Sequence, residues 1–139
     1  MKKLIHFTFL PLLFVLSACE EQSKDLNVEI KKDQLCIFTN KPKNYGEDDF
    51  LVHIGKIDFS KEYKSEYEKV YDKTIRPVEE SNCVYIPLNK IKKDTPYKIT
   101  LSTINSSFST NICIQQEGSL SSLKYLQAGK DVCKDVCIK

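Results

Sequence analysis

The segment IKKDTPYKITLSTI, residues 91–104, gives the first indication of the fold of this 139-residue chain. From Tyr97 onward its apolar and polar side chains alternate, with Tyr97, Ile99 and Leu101 in one set and Lys98, Thr100 and Ser102 in the other. Strict alternation places one set on each face of an extended chain, so the segment predicts a strand with one buried face. The Lys-Asp-Thr-Pro run before it predicts a turn.

Further short runs rich in β-branched and aromatic residues occupy most of the remaining chain. They are NVEIKKDQLCIFTN (27–40, a predicted hairpin), FLVHIGKIDF (50–59), SNCVYIPL (81–88) and SFSTNICIQ (107–115). Turn-forming segments separate them, among them KPKNYGEDD at 41–49, which predicts a loop, and Asn105-Ser106-Ser107, which predicts a hairpin turn. About six short strands joined in this way predict a mainly β domain, a small antiparallel sandwich.

The spacing Ile91-x-x-x-Thr95-x-Tyr97-x-Ile99-x-Leu101 resembles the E–F corner of fibronectin type III and related immunoglobulin-like sandwiches. The resemblance implies that Tyr97 starts a strand, enters the core and bonds its hydroxyl back to the backbone of the corner. The chain has no tryptophan, and this strand carries no cysteine, which argues against an antibody-like domain. A shared fold implies nothing about function.

In FSKEYKSEYEKVYDK, residues 59–73, aromatic residues recur at every fourth position, at Phe59, Tyr63, Tyr67 and Tyr71. This spacing predicts an amphipathic helix of about 12 residues capped by Ser60. Its tyrosine stripe either packs on the sandwich or, at Tyr63, Tyr67 and Tyr71, contacts a protein partner. A strand from Tyr67 to Lys73 is the alternative. Leu120, Leu123 and Leu126 predict a second short helix that ends near Gly129.

The N-terminus has the three parts of an export signal. Lys2 and Lys3 precede an apolar run at 4–15, which is shorter than the roughly 20 residues that span a bilayer. The order Leu16-Ser17-Ala18-Cys19 resembles the bacterial lipobox. This resemblance implies a signal peptide at 1–18 and acylation of Cys19. The polar residues that follow predict a tether at 19–26, and the remaining length predicts a single β-sandwich domain at 27–139 with a disulfide-tied C-terminal tail. Because residue 20 is Glu and not Asp, we expect anchoring in the periplasm, at the outer membrane. The alternative is an ordinary secreted chain in which Cys19 joins a disulfide.

Five further cysteines follow Cys19, and an oxidising compartment favours disulfides between them. We expect one bridge between Cys36 and Cys83 and a second from Cys113 to either Cys133 or Cys137, with one thiol left over. A zinc site is the rival interpretation. The chain after Cys19 has no Cys-x-x-Cys and one histidine, His53, so we expect no metal site.

Charge and motifs exclude several classes of function. Loss of Lys2 and Lys3 with the leader leaves 19 basic and 19 acidic residues, so no basic excess favours nucleic acid. No nucleophile elbow accompanies His53, so we expect a half-buried structural histidine at this position. No phosphate-binding loop occurs either. The acidic run Glu47-Asp48-Asp49 lacks the alternate spacing of a calcium loop. We therefore expect a protein that is not an enzyme and holds no cofactor.

The lipobox followed by LCIFTN, FLVHIGKID, KSEYEKVY, NCVYIP, TPYKITL and ICI, in this order, resembles type VI secretion immunity lipoproteins of the periplasm. The resemblance implies a protein that binds an incoming toxin and blocks it. Glu47, Asp48 and Asp49 are then candidates for steering toward a basic toxin surface, beside the tyrosine stripe. The alternative is a structural or envelope-associated lipoprotein without a toxin partner. An envelope hydrolase is the third class.

Overall fold

The computed structural model describes residues 26–127 and 129–134, which form two antiparallel sheets. The strands are β1 (Asn27–Lys31), β2 (Gln34–Phe38), β3 (Glu47–Lys56), β4 (Ser65–Ile75), β5 (Val84–Pro87), β6 (Tyr97–Thr103), β7 (Ser107–Glu117) and β8 (Leu120–Tyr125). One sheet has the order β1-β2-β5 and the other β4-β3-β6-β7-β8. Short 3₁₀ turns lie at Pro42–Asn44, Glu80–Asn82 and Leu88–Lys90. The predicted antiparallel sandwich is confirmed.

The strand order is that of an immunoglobulin-like sandwich. In the lettering of that fold, β1, β2 and β5 take the places of strands A, B and E, and β3, β6 and β7 those of C, F and G. Strand β4 lies outside β3, where C′ lies, and β8 extends the sheet beyond β7. The connections β2–β3 and β6–β7 therefore correspond to the B–C and F–G loops.

The E–F corner forms as the sequence predicts. Tyr97 is 1% exposed, and its hydroxyl accepts a hydrogen bond from the backbone N–H of Lys92 at 3.1 Å. Ile91, at the start of the corner, is also buried. The alternation along β6 holds too, since Ile99 and Leu101 join the core between the sheets. One side chain thus fills the core and satisfies a backbone donor.

A second tyrosine joins the two sheets at the opposite edge. The hydroxyl of Tyr125, on β8, accepts from the N–H of Val28 and donates to the C=O of the same residue, both at 3.0 Å. Val28 lies on β1, the edge strand of the three-stranded sheet. The hydroxyl therefore occupies two backbone groups that an added strand would need.

Two disulfides crosslink the sandwich, and one of them fixes the C-terminal segment to it. Cys36 on β2 is bonded to Cys83, which immediately precedes β5, and Cys113 on β7 is bonded to Cys133 in the C-terminal segment. The first pairing, and one of the two alternatives for the second, are those predicted. Cys19 and Cys137 lie outside the described residues, as do the predicted signal peptide and most of the tether.

The two helices predicted from the sequence are strands instead. The helix expected within 59–73 is a connection followed by strand β4, which contains the alternative strand from Tyr67 to Lys73, and the helix expected at Leu120–Leu126 is strand β8. In both places, pairing with a neighbouring strand replaces the isolated helix, β4 with β3 and β8 with β7. Leu26, placed at the end of the predicted tether, is fully buried in the core.

Candidate protein-binding surface

The tyrosine stripe is divided by the fold. Tyr67 and Tyr71 lie on the inner face of β4 and pack half-buried against the core. The Tyr71 ring stacks on Phe50 with 4.7 Å between ring centroids, and the Lys69 ammonium lies 4.9 Å from the Tyr71 ring centre. Burial raises the pKa of the Tyr71 hydroxyl. The packing interpretation of the stripe therefore describes these two residues.

Tyr63 lies apart from the other two, in the β3–β4 connection, and is 45% exposed. Its hydroxyl is 3.1 Å from Nδ1 of His53, on the outer face of β3. The ring covers Gly55 so closely that a Cβ there would lie 2.7 Å from a Tyr63 ring carbon and 2.6 Å from the Lys64 carbonyl oxygen. A glycine is needed at this position because any side chain would displace the connection.

The acidic residues do not form the free loop that the sequence predicts. Glu47, Asp48 and Asp49 open strand β3. Asp48 forms an ion pair with Arg76 at 2.5 Å, and hydrogen bonds from Arg76 and from the Asp49 backbone hold the pKa of Asp48 below its ordinary value. Asp49 accepts the backbone N–H of Lys73 at 2.8 Å. Glu47 and Asp49 are exposed, and Asp48 is half-buried.

Asp49 also contacts a second carboxylate. A hydrogen bond with Asp49 raises the pKa of Asp72 on β4, because two like charges in contact disfavour full ionisation. Among residues 26–127 and 129–134, no three side chains of the His, Cys, Asp or Glu type are grouped so that they could hold a metal ion. Within the same residues, no helix is long and apolar enough to cross a membrane.

Three connections meet at one end of the sandwich, which we name the loop end. They are the β2–β3 loop (39–46), residues 76–78 after β4, and the β6–β7 turn (104–106). A cavity of about 30 Å³ lies between them, lined by Thr39, Asn44, Arg76, Pro77, Val78, Leu101, Thr103, Ser106 and Phe108. Two backbone hydrogen bonds join the β2–β3 loop to residues 76–78, from the N–H of Thr39 to the carbonyl of Pro77 and from the N–H of Arg76 to the carbonyl of Gly46, both at 2.8 Å.

Large apolar side chains are exposed around this cavity. Tyr45, Ile75 and Ile104 are 64%, 42% and 83% exposed, and each adjoins in sequence a residue that lines the cavity. Lys41 and Lys43 are exposed on the same loop, and the Lys41 ammonium lies 4.9 Å from the Phe108 ring centre. The loop end thus combines apolar anchors, a small recess and positive charge, a composition suited to a protein partner.

The sequence did not reveal this surface, because Tyr45 lies in a segment predicted only as a loop and Ile104 ends the segment predicted as a strand. An exposed Tyr45 could have been expected, since an apolar residue inside a loop has no strand neighbour to bury it. Comparison of the chain with known protein families, curated proteins and solved structures gives no match. The proposals for function therefore rest on the chain's own sequence and geometry.

Proposed function

We propose that this chain is a lipid-anchored immunity protein of the periplasm that binds and neutralises a secreted antibacterial effector. The lipobox at Leu16–Cys19 supports the location, and the disulfides are of the kind that form in an oxidising compartment. Neutralisation requires affinity for the toxin and no chemistry of the chain's own. A rigid sandwich that presents loops supplies a surface that changes little on binding.

The observation that carries the proposal is the exposed apolar group at the loop end, Tyr45, Ile75 and Ile104. Isolated exposed apolar residues are common on protein surfaces, but here three of them surround one recess. The B–C and F–G loops, to which this end corresponds, form the binding loops of antibody variable domains. That correspondence is an analogy of fold, and the exposure and the cavity are the physical support.

Charge at the loop end favours a partner with an acidic rim. Lys41 and Lys43 are exposed, whereas the carboxylate of Asp48 is engaged by Arg76. Exposed charges at the rim of an interface mainly raise the association rate, and salt weakens their effect. The exposed residues Glu47 and Asp49 stay candidates for steering toward a basic toxin surface, and Lys41 and Lys43 add positive steering charges at the loop end.

The test measures binding to the purified effector encoded beside this chain's gene. Tyr45→Ala and Ile104→Ala should each weaken the complex by about 2 kcal/mol, mainly through faster dissociation. Both side chains are exposed, so we expect the free energy of unfolding to change by less than about 0.5 kcal/mol.

Tyr85→Ala is the matched control, because Tyr85 is exposed on β5, away from the loop end, and should leave binding unchanged. Equal affinities for wild type and both loop-end variants would show that another surface binds. Failure of the wild type to bind any effector encoded beside it would refute the immunity function itself.

A further inference from the structure

The edges of the two sheets are protected unequally. Within the described residues the sheets end in four edge strands, β1, β5, β4 and β8. The Tyr125 hydroxyl occupies the backbone of β1, β5 has four residues and ends at Pro87, and β8 has six. Strand β4 is the longest of the four, with 11 residues, and its pairing with β3 is regular over residues 67–71, between two shifts of register. This regular part of β4 is the edge on which another chain could add a strand.

The side chains of β4 leave apolar surface beside this open edge. Val70, on the outer face, is 72% exposed. On the inner face Tyr67 and Tyr71 are half-buried, since the facing sheet has three strands against five. A strand added beside β4 would cover Val70 and the remaining surface of both tyrosines. Such burial would add to the backbone hydrogen bonds that strand addition supplies.

The charges of β4 decide which kind of strand fits. A second copy would pair antiparallel about a two-fold axis, and we consider the five registers centred on successive residues from 67 to 71. They place Glu66 opposite Glu68, Glu68 opposite itself, Lys69 opposite itself, Glu68 opposite Asp72, or Lys69 opposite Lys73. Like charges directly opposite each other destabilise a sheet. Self-pairing is therefore disfavoured in every central register.

A foreign strand with the complementary pattern meets no such repulsion. The outer face of the regular part of β4 carries Glu68 and Val70, opposite His53 and Leu51 of β3. Opposite charges across strands stabilise pairing, so a basic side chain suits the position facing Glu68. Apolar side chains suit the inner positions beside Tyr67 and Tyr71, which border the core.

We propose that β4 binds an extended segment of a partner protein as an added strand, with basic side chains facing Glu68 and apolar side chains continuing the core. The proposal rests on the proposed function only for the partner's identity as an effector. The added strand would form a second contact with the effector along the side of the sandwich. This contact would adjoin the loop end, because β4 ends there at Ile75.

A synthetic peptide tests the strand addition without the effector. The probe is a peptide of about nine residues in which lysine and valine alternate, long enough to pair along the regular part of β4, residues 67–71. Mixed with the full-length chain, it should bind in a fluorescence anisotropy titration. It should also slow hydrogen exchange of the amides in residues 65–75 and of few others. Two control peptides, one with glutamate in place of lysine and one with alternate backbone nitrogens methylated, should bind at least about tenfold more weakly.

Substitutions in the chain test the position facing Glu68. Glu68→Lys should weaken the lysine–valine peptide about tenfold, and Glu62→Lys, an exposed change in the β3–β4 connection, should leave binding unchanged. The proposal is overturned if the peptide does not bind, if the methylated peptide binds equally well, or if the slowed amides lie outside β4. It is also overturned if Glu68→Lys has no effect.

Experiments can refute strand addition at β4 and the immunity function independently of each other. Loss of peptide binding together with intact neutralisation of the effector would remove strand addition and leave the immunity function standing. Peptide binding at β4 without any neutralised effector would do the reverse.

Discussion

At the scale of single residues, two tyrosine hydroxyls complete backbone hydrogen bonding at opposite edges of the sandwich. The Tyr97 hydroxyl accepts a hydrogen bond from the N–H of Lys92. The Tyr125 hydroxyl accepts from the N–H of Val28 and donates to its carbonyl. The resemblance to the E–F corner of fibronectin type III implied the first, which joins residues five positions apart. The second joins residues 97 positions apart, and no local pattern encodes such a contact.

Replacing Tyr97 by Phe keeps the buried ring and removes its hydroxyl. The N–H of Lys92 then loses its acceptor, so the free energy of unfolding should fall by about 1–2 kcal/mol. Urea denaturation measures the difference. Tyr45→Phe, at an exposed ring, should change stability by less than about 0.5 kcal/mol. Equal stability of Tyr97→Phe and wild type would contradict the corner as described.

Asp48 should make stability depend on acid pH. Its pKa is lowered from 3.8 by Arg76, so it binds fewer protons in the folded chain than in the unfolded chain. Its contribution is present above pH 3.8 and is lost as the pH falls through the lower folded value. Asp48→Asn should therefore be less stable than wild type near neutral pH, and the difference should shrink in this acid range. A difference that does not change with pH would exclude the ion pair as its source.

At the scale of elements, the error at β4 has a simple physical cause. Residues four apart lie on one face of a helix and also on one face of a strand, so Tyr67 and Tyr71 satisfy both periodicities. Pairing with β3 over most of its length decides in favour of the strand. The hairpin of β1 and β2, predicted from runs rich in Val, Ile and Phe around a polar turn, and the alternating strand β6 were predicted correctly. Exposure at the loop end depends on which turns meet in space, and the sequence does not show that.

The two disulfides should differ in their contribution to stability. The Cys36–Cys83 bridge spans 47 positions and the Cys113–Cys133 bridge 20, so loop entropy assigns them about 4 and 3 kcal/mol. Paired Cys→Ala variants of each bridge, compared by chemical denaturation, should both be less stable, with the first affected more. Non-reducing mass mapping of periplasmic material should recover both pairings. Free thiols at Cys36, Cys83 and Cys113 would contradict them.

At the scale of the whole molecule, the proposed lipid anchor would determine how near the loop end lies to the membrane. Strand β1 begins beside the end of β2, since Asn27 pairs with Phe38, and the β2–β3 loop follows at once. The chain therefore leaves toward Cys19 from the loop end. Seven residues of chain reach at most about 25 Å, so an acylated Cys19 would hold the loop end near the membrane surface. The open edge of β4 lies along the side of the sandwich.

Cys19→Ser should abolish acylation and move the chain from the membrane fraction to the soluble periplasmic fraction. Neither disulfide of the sandwich uses Cys19, so the soluble variant should keep both disulfides and the melting temperature of the wild type. Recovery of the unaltered chain as a soluble, unacylated protein would contradict the lipid anchor.

The survival of cells that receive the effector in their periplasm tests the proposed immunity function directly. Cells exporting the effector encoded beside this chain's gene are grown with the full-length chain, with the Tyr45→Ala and Ile104→Ala double variant, or with neither. If the chain is an immunity protein, cells should survive with the wild type and die without it. The double variant should protect them less at equal chain abundance. Death at the same rate with and without the wild-type chain, for every effector encoded beside it, would contradict the proposed immunity function.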